Sequence, residues 1–250
     1  MKRLWLKVTL ALGVGLFGAP AWALQCSEQS YKGNTYVLCE VDATAEDLRL
    51  FLNDASGTAF GHFDAVDAAL AETGERLAFA MNAGMYHEDR APVGHYVENG
   101  DEVMRVVPNP GPGNFGMVPN GVFCIRQGRA DVVETLKFQK TLEGQCRFAT
   151  QSGPMLVIDG ELHPRFLKDS TWRYLRNGVG TSADGKRVVF VISRNAVTFH
   201  EFGSFFRDAL GLPQALYFDG NISRLYAPAL GRADGGRRMG PVVGVVVPVE

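Results

Sequence analysis

Four apolar runs of the sequence each end in a polar turn that contains glycine. The turns read Asn82-Ala83-Gly84-Met85-Tyr86, Gln151-Ser152-Gly153-Pro154, Arg176-Asn177-Gly178-Val179-Gly180 and Asp219-Gly220-Asn221-Ile222-Ser223. Between them they offer a carboxylate, a guanidinium, an amide and hydroxyl groups, and their glycines let backbone N–H groups approach a ligand closely. An anionic substrate rich in hydroxyl groups fits this set.

Each turn also has an ordinary structural explanation. Asp219-Gly220-Asn221 is typical of a plain turn, because Asp and Asn side chains bond to nearby backbone. Arg176 alone is typical of a surface ion pair, which contributes little to stability. It is the recurrence of one design at four strand ends, where binding sites are usually built, that favours a functional site.

Other site chemistries find less support in the sequence. There is no G-x-S-x-G elbow for a serine esterase, since Gly203-Ser204 falls inside a predicted helix. His87 and His200 do not form an H-E-x-x-H motif, and Gly111-Pro112-Gly113 lacks the Gly-Lys-Ser/Thr of a P-loop. We therefore expect no metal and no cofactor. A metal-dependent hydrolase built from Asp219 with His87 or Asp89 remains an alternative.

The composition describes a folded globular protein. The 250 residues are 46% hydrophobic and 21% charged, with a formal net charge of −2. The 25 Lys and Arg do not outnumber the 27 Asp and Glu, so a nucleic-acid partner has little support.

Residues 1–23 have the order of a secretory signal peptide. Cations in the first seven residues precede an apolar run over 8–17 and the small residues around Ala23, after which we expect cleavage. The run is shorter than the roughly 20 residues of a membrane-spanning helix. Because residues 1–23 contain Lys2, Arg3 and Lys7 and no acidic residue, cleavage changes the net charge from −2 to −5. We expect a secreted, periplasmic domain over 24–250, with no membrane span.

All four cysteines lie after the predicted cleavage site. An even number of cysteines in an exported protein favours disulfides over free thiols or zinc. Three connectivities are available, and we favour Cys26–Cys39 with Cys124–Cys146, because each pair brackets one short segment that a strand and its return could close.

Short strands dominate the predicted elements. Apolar runs predict strands over 35–41, 48–52, 77–81, 121–125, 154–158, 187–193, 215–218 and 242–247. Asn99-Gly100, Asp159-Gly160 and Asp184-Gly185 are hairpin turns, so antiparallel pairing should be common. Helical spacing appears at Phe63, Val66 and Leu70, and again from Phe202 to Leu210. We expect a single α+β domain with a large mixed, hairpin-rich sheet and a few packed helices.

The glycine turns also resemble those of a known family, the phosphodiester glycosidases, and most closely its small exported bacterial members. The segments that carry the resemblance are 81–86, 114–115, 119–123, 151–156, 176–180 and 217–223, in the order of the family. The sequence departs from the family at Asn221, where the family usually has glycine. The resemblance implies hydrolysis of a glycosyl-1-phosphodiester, which releases the sugar and leaves a phosphomonoester.

The resemblance also implies roles for individual residues. Asp219 would act near the anomeric carbon as base or nucleophile, and Arg176 would bind phosphate together with backbone N–H groups of Gly153, Gly178 or Gly220. Asn82 would assist catalysis, and the other substrate contacts would come from Tyr86, Phe115, Asn120, Ser152 and Ser223. The alternative function is a non-catalytic module that binds glycan or cell envelope. An enzyme requires Asp219 and Arg176 to face a common ligand, whereas the binding module does not.

Overall fold

The structure is a computed structural model that describes residues 24–219 and 222–249. The predicted signal peptide over 1–23 lies outside the described residues, as do Gly220 and Asn221. Within the described ranges, no helix has the length and apolar character needed to cross a membrane.

Strands are the most frequent regular elements of the described chain. Their bounds are β1 Gln25–Tyr31, β2 Asn34–Asp42, β3 Asp47–Phe51, β4 Glu75–Asn82, β5 Tyr96–Glu98, β6 Asp101–Met104, β7 Gly121–Arg126, β8 Arg129–Glu134, β9 Phe148–Ser152, β10 Met155–Ile158, β11 Glu161–Leu162, β12 Asn177–Thr181, β13 Arg187–Ser193, β14 Gln214–Tyr217, β15 Leu225–Ala227, β16 Arg232–Ala233 and β17 Val242–Pro248. The helices are α1 Phe63–Ala71, α2 Thr135–Thr141 and α3 Phe199–Ser204, with a π-helical turn at Phe205–Ala209 and a 3₁₀ turn at Pro228–Leu230.

The strands form three sheets. The first has the order β1-β2-β13-β12-β14-β10-β11, the second β16-β15-β4-β17-β3 and the third β6-β5-β9-β7-β8. Neighbouring strands in all three sheets run antiparallel, as the hairpin turns predicted. The α+β fold in a single domain is confirmed. The expected large sheet is divided into three, because apolar runs indicate which residues are buried but not which strands pair.

One apolar core joins the three sheets. Phe79 of β4, Phe123 of β7 and Phe190 of β13 come from different sheets and are fully buried. The ring of Phe190 lies 4.9 Å from that of Phe79 and 5.8 Å from that of Phe123, centroid to centroid. Burial of each such ring stabilises the fold by about 1.5–3 kcal/mol. The sheets are thereby fixed relative to one another, and so are the turns at their ends.

The predicted hairpins and the first helix are confirmed. Asn99 and Gly100 have φ angles of 53° and 93°, and they join β5 to β6. Helix α1 buries Phe63, Val66 and Leu70, the residues whose spacing predicted it.

The second predicted helix has a different form, and a third was not predicted. Helix α3 begins at Phe199 and passes into the π-helical turn, which ends before Gly211. Helix α2 buries only Phe138 and Thr135, so it carries no apolar stripe that the sequence could reveal.

The predicted disulfides are confirmed. Cys26 of β1 is bonded to Cys39, its register partner in β2. Cys124 of β7 is bonded to Cys146, which precedes β9. Two disulfides are typical of a protein that works outside the reducing cytoplasm.

Candidate active site

Asn82, the last residue of β4, lies at the centre of a buried hydrogen-bond network. Its side chain is fully buried; Oδ1 accepts from the backbone N–H of Arg224 at 2.8 Å, and Nδ2 donates to the carbonyl of Ile222 at 2.6 Å. Both ends of the amide are therefore bonded to the segment that follows Asp219. Asn82 holds one side of the Asp219–Ser223 turn.

Asn177, the first residue of β12, holds the other side of that turn. Its Nδ2 donates to the carbonyl and to Oδ1 of Asn82, at 2.9 and 3.0 Å. Its Oδ1 accepts from the backbone N–H of Asp219 at 3.4 Å and from the Ser223 hydroxyl at 3.5 Å. The predicted turn over 176–180 is wrong, because Asn177–Thr181 form β12 and Gly178 allows close packing against Leu216 of β14 instead of a change of chain direction. Asn177 was not among the predicted site residues.

Ser152 connects a third strand to the same turn. The residue ends β9, is fully buried, and donates from Oγ to the carbonyl of Phe218 at 2.5 Å. Strand ends from all three sheets thus meet around Phe218 and Asp219. The convergence of the predicted turns at one end of the domain follows from these bonds.

Asp219 is half-buried and lines a pocket of about 670 Å³. The pocket is also lined by Met85, Tyr86, His87, Glu88, Arg90, Val93, Ile222, Arg237 and Arg238. Burial, reinforced by the negative charge of Asp219, raises the pKa of Tyr86 to about 12. The Tyr86 phenol is therefore neutral near pH 7 and donates to the carbonyl of Arg238 at 3.4 Å.

Arginines make this pocket cationic, and the sequence analysis did not single them out. Arg90, Arg237 and Arg238 line it, against two carboxylates, Asp219 and Glu88. The nearby Arg224 is buried; it donates to the carbonyl of Arg237, and burial lowers its pKa. Two adjacent arginines after Gly235-Gly236 were the one available sequence signal.

Arg176 is buried, unlike the arginine of an ordinary surface ion pair. Its side chain is 2% exposed, and Nε donates to the carbonyl of Val197 at 2.9 Å. The guanidinium carbon lies 3.6 Å from the ring centroid of Phe199, a cation–π contact. Burial lowers the pKa of Arg176, but an arginine stays charged in proteins. No carboxylate of residues 24–219 or 222–249 forms a salt bridge with it.

A second pocket, of about 290 Å³, opens at the Arg176 guanidinium. It is lined by Asn114, Met117, Arg165, Phe166, Leu167, Ser170, Trp172, Tyr174, Arg176, Phe199 and His200. This lining contains two arginines and no carboxylate. The buried Tyr217 hydroxyl lies beside the guanidinium and interacts with it. A buried cation without a carboxylate counter-ion is suited to an anion.

The strand register relates Arg176 to Asp219. Strands β12 and β14 pair Gly178 with Tyr217, and the N–H of Phe218 donates to the carbonyl of Asn177 at 3.1 Å. Continued by one residue, this register sets Arg176 opposite Asp219, and opposite residues of an antiparallel pair share a face. The guanidinium and the carboxylate thus start from adjacent backbone, but they line two different pockets that share no lining residue. The expected common pocket for Asp219 and Arg176 is therefore not found within the described ranges.

Other predicted substrate residues bond to, or pack against, the protein itself. Asn120 donates from Nδ2 to the carbonyl of Phe115 at 3.0 Å and accepts from Thr135 at 2.7 Å, which fixes the proline-rich loop. A Cβ on Gly153 would lie 2.8 Å from Cβ of Asn120, and one on Gly178 would lie 2.5 Å from the carbonyl of Leu216. Both glycines are therefore required for close packing.

Of the predicted substrate residues Gly220 and Ser223, the structure describes only Ser223. The Ser223 hydroxyl donates to the carbonyl of Leu175 at 3.2 Å, and Gly220 lies outside the described residues. Among the residues that the structure describes, no three His, Cys, Asp or Glu side chains form a group that could hold a metal ion.

Known proteins resemble the chain in sequence and in fold. The sequence profile of the phosphodiester glycosidase family matches residues 75–246. The chain is 34% identical to the uncharacterised protein YigE of Escherichia coli over 226 residues, which is 90% of this chain and 85% of that protein.

Two solved structures share the fold at low sequence identity. One is the zebrafish N-acetylglucosamine-1-phosphodiester alpha-N-acetylglucosaminidase catalytic domain, auto-inhibited by its pro-peptide. It gives a TM-score of 0.63 at 12% identity and covers 89% of this chain and 82% of its own. The other, a hypothetical protein from Synechocystis, gives 0.58 at 14% identity and covers 90% and 62%.

Proposed function

The chain belongs to the phosphodiester glycosidase family, and on that premise we propose that it hydrolyses the sugar–phosphate bond of a glycosyl-1-phosphodiester. Water adds to the anomeric carbon, the bond from that carbon to the phosphate oxygen breaks, and a sugar and a phosphomonoester leave. The observation that carries the proposal is the pairing of β12 with β14: Arg176 directly precedes the first of these strands, and Asp219 follows the second by two residues. We further propose that the enzyme acts in the periplasm after cleavage behind Ala23.

Asp219 is proposed to act at the anomeric carbon. A phosphate ester is a weakly basic leaving group, so a general acid is less necessary than in ordinary glycoside hydrolysis. The main requirement is to stabilise the positive charge that develops on the sugar, which a carboxylate does directly. Asp219 then either takes the proton of the attacking water or adds to the anomeric carbon itself.

Arg176 is proposed to bind the phosphate. Its guanidinium has no carboxylate partner among the described residues, and stacking on Phe199 holds it in place. A planar guanidinium presents two N–H groups to two phosphate oxygens, a geometry that lysine lacks. The buried Tyr217 hydroxyl beside the guanidinium supplies a further donor. Backbone N–H groups of Gly153 and Gly220 remain proposed phosphate contacts. Gly178 is not one of them, because it lies in β12 between β13 and β14 and its N–H faces a neighbouring strand.

The remaining residues are proposed to orient the substrate and its turn. Tyr86 lies in the same pocket as Asp219, where its ring can stack on the sugar. Asn82 and Ser152 act through their bonds to the Asp219 turn, since both are fully buried. Ser223 and Asn120 support the same arrangement at the edges of the site.

A panel of glycosyl-1-phosphodiesters, varied in the sugar, tests this function. The chain from Leu24 onward should release free sugar from at least one diester, and the matching aryl glycoside without phosphate should react far more slowly. Binding of a diester without sugar release by the wild-type chain would contradict hydrolysis and support a glycan-binding module. Activity that chelator abolishes would instead support a metal-dependent mechanism.

A further inference from the structure

The segment over residues 164–175 exposes an unusual number of large apolar side chains. Leu167, Trp172, Tyr174 and Leu175 are 67, 71, 45 and 48% exposed. They are four of the eight exposed large apolar side chains in the described part of the chain. Concentrated exposure of this kind marks an interaction surface, whereas scattered exposed residues need no explanation.

The segment is held in place at both ends. The Phe166 ring stacks on His163 at 4.9 Å and on Phe199 at 5.1 Å, centroid to centroid. Tyr174 and Val197 exchange two backbone hydrogen bonds, at 3.1 and 2.8 Å. Between these anchors, Leu167 and Trp172 are exposed from a fixed loop rather than from a frayed end.

Positive charge accompanies the apolar side chains. The segment contains Arg165, Lys168 and Arg173 against the single acid Asp169, and Arg173 forms a salt bridge with Glu201 at 2.9 Å. The surrounding protein is acidic overall. Apolar and aromatic side chains mixed with cations on one surface are typical of proteins that lie on anionic membranes.

We propose that the 164–175 segment docks on the surface of an anionic lipid bilayer, with Leu167 and Trp172 entering the interface. Both side chains also line the pocket that opens at Arg176, so docking brings that pocket to the level of the lipid phosphates. The consequence for the substrate rests on the proposed function: the aglycone is a lipid, and the substrate class is a glycosyl phospholipid.

Tryptophan fluorescence can test the docking directly. The chain has three tryptophans, of which only Trp172 follows residue 23, so protein produced from Leu24 onward reports on this segment alone. Vesicles of phosphatidylethanolamine with phosphatidylglycerol should shift the emission to the blue and carry the protein into the pellet. Vesicles of phosphatidylcholine alone should do neither. No shift with the anionic vesicles, or an equal shift with both, would overturn the proposal.

Two double variants distinguish binding through this surface from nonspecific adsorption to vesicles. Leu167→Ser with Lys168→Glu should weaken sedimentation with anionic vesicles by about tenfold or more, because it removes apolar area and a cation together. Val103→Ser with Leu136→Ser, at side chains that are 55 and 52% exposed elsewhere, should leave it unchanged. Equal effects of the two pairs would contradict the assignment. A blue shift produced by soluble glycan, with no vesicle binding, would assign the surface to sugar instead.

The tests of docking and of hydrolysis have independent outcomes. Vesicle binding is measured without substrate, and sugar release is measured on a water-soluble diester without vesicles. If the soluble diester is cleaved but anionic vesicles are not bound, the docking is wrong and the proposed function stands. If vesicles are bound but no diester is cleaved, the docking stands and the proposed function is wrong. When both succeed, a glycosyl phospholipid in vesicles should be cleaved faster by wild type than by the Leu167→Ser, Lys168→Glu variant.

Discussion

The side-chain nitrogen of Asn177 donates to both oxygens of Asn82, at 2.9 and 3.0 Å, and so joins β12 of the first sheet to β4 of the second. Both residues are fully buried, so neither side chain is in contact with solvent. The pair fixes the Asp219–Ser223 turn from two directions. The position of the proposed catalytic carboxylate thus depends on two fully buried amides.

Asn82→Ala should lower the free energy of unfolding by about 1–3 kcal/mol, because it leaves buried partners of the amide unsatisfied. Activity should fall by more than the loss of folded protein accounts for, because the segment that carries Asp219 loses its hydrogen bonds to Asn82. Chemical denaturation and sugar release measure the two effects. Asn53→Ala, at an exposed asparagine, is the control and should change neither. Full activity of Asn82→Ala would show that the turn needs no such support.

Asp219→Asn should reduce turnover by about 10²–10⁴-fold, because the amide neither accepts a proton from water nor stabilises a cationic sugar. Binding of the diester and the melting temperature should stay near wild type. Sugar release and calorimetric titration provide the readouts. Asp169→Asn, in the exposed 164–175 segment, serves as the matched control. Unchanged turnover in Asp219→Asn would remove that residue from the chemistry.

Arg176→Met should abolish competitive inhibition by inorganic phosphate while keeping or raising the melting temperature. The first effect follows from loss of the phosphate contact, and the second because an apolar side chain of similar volume removes a buried charge without a counter-ion. Arg165→Met, at the exposed edge of the same pocket, should weaken inhibition only slightly. An equal loss of activity on a neutral aryl glycoside would contradict a role specific to phosphate.

Asp131 should make stability depend on acid pH. Burial acts to raise the pKa of this carboxyl, but hydrogen bonds from Arg129 and Arg126 outweigh burial and hold the pKa below its usual value. The stabilisation is therefore present above the unfolded-state pKa of about 3.9 and is lost as pH falls through the lower folded-state pKa. The melting-temperature difference between wild type and Asp131→Asn should be constant at neutral pH and shrink below about pH 4. A difference that grows in acid would contradict this assignment.

The strand ends of the site could be predicted from sequence because their signals are local. The apolar run over 215–218 ends at Asp219 as expected, and the Asn99-Gly100 and Asp159-Gly160 turns have positive φ. Both disulfides followed from cysteine spacing, since each bond closes a short segment. In each of these cases the relevant partners are neighbours in the chain.

The remaining features of the site depend on pairing between distant segments. Arg237 and Arg238 reach the Asp219 pocket from a segment without strand or helix periodicity. Asn177 looked like one polar residue in a glycine turn, and its contact with Asn82 spans 95 residues of sequence. Only the relative placement of the sheets reveals that these residues share a site.

The last strand of the chain, β17, lies between β4 and β3, which belong to its first third. Until Val242–Pro248 are available, those two earlier strands each present an open edge, and open edges invite pairing with other chains. The second sheet therefore closes only after residues 242–248 have joined it. The order of the strands delays completion of the fold to its last strand, and Asn82, at the end of β4, is paired with Val242 only from that moment.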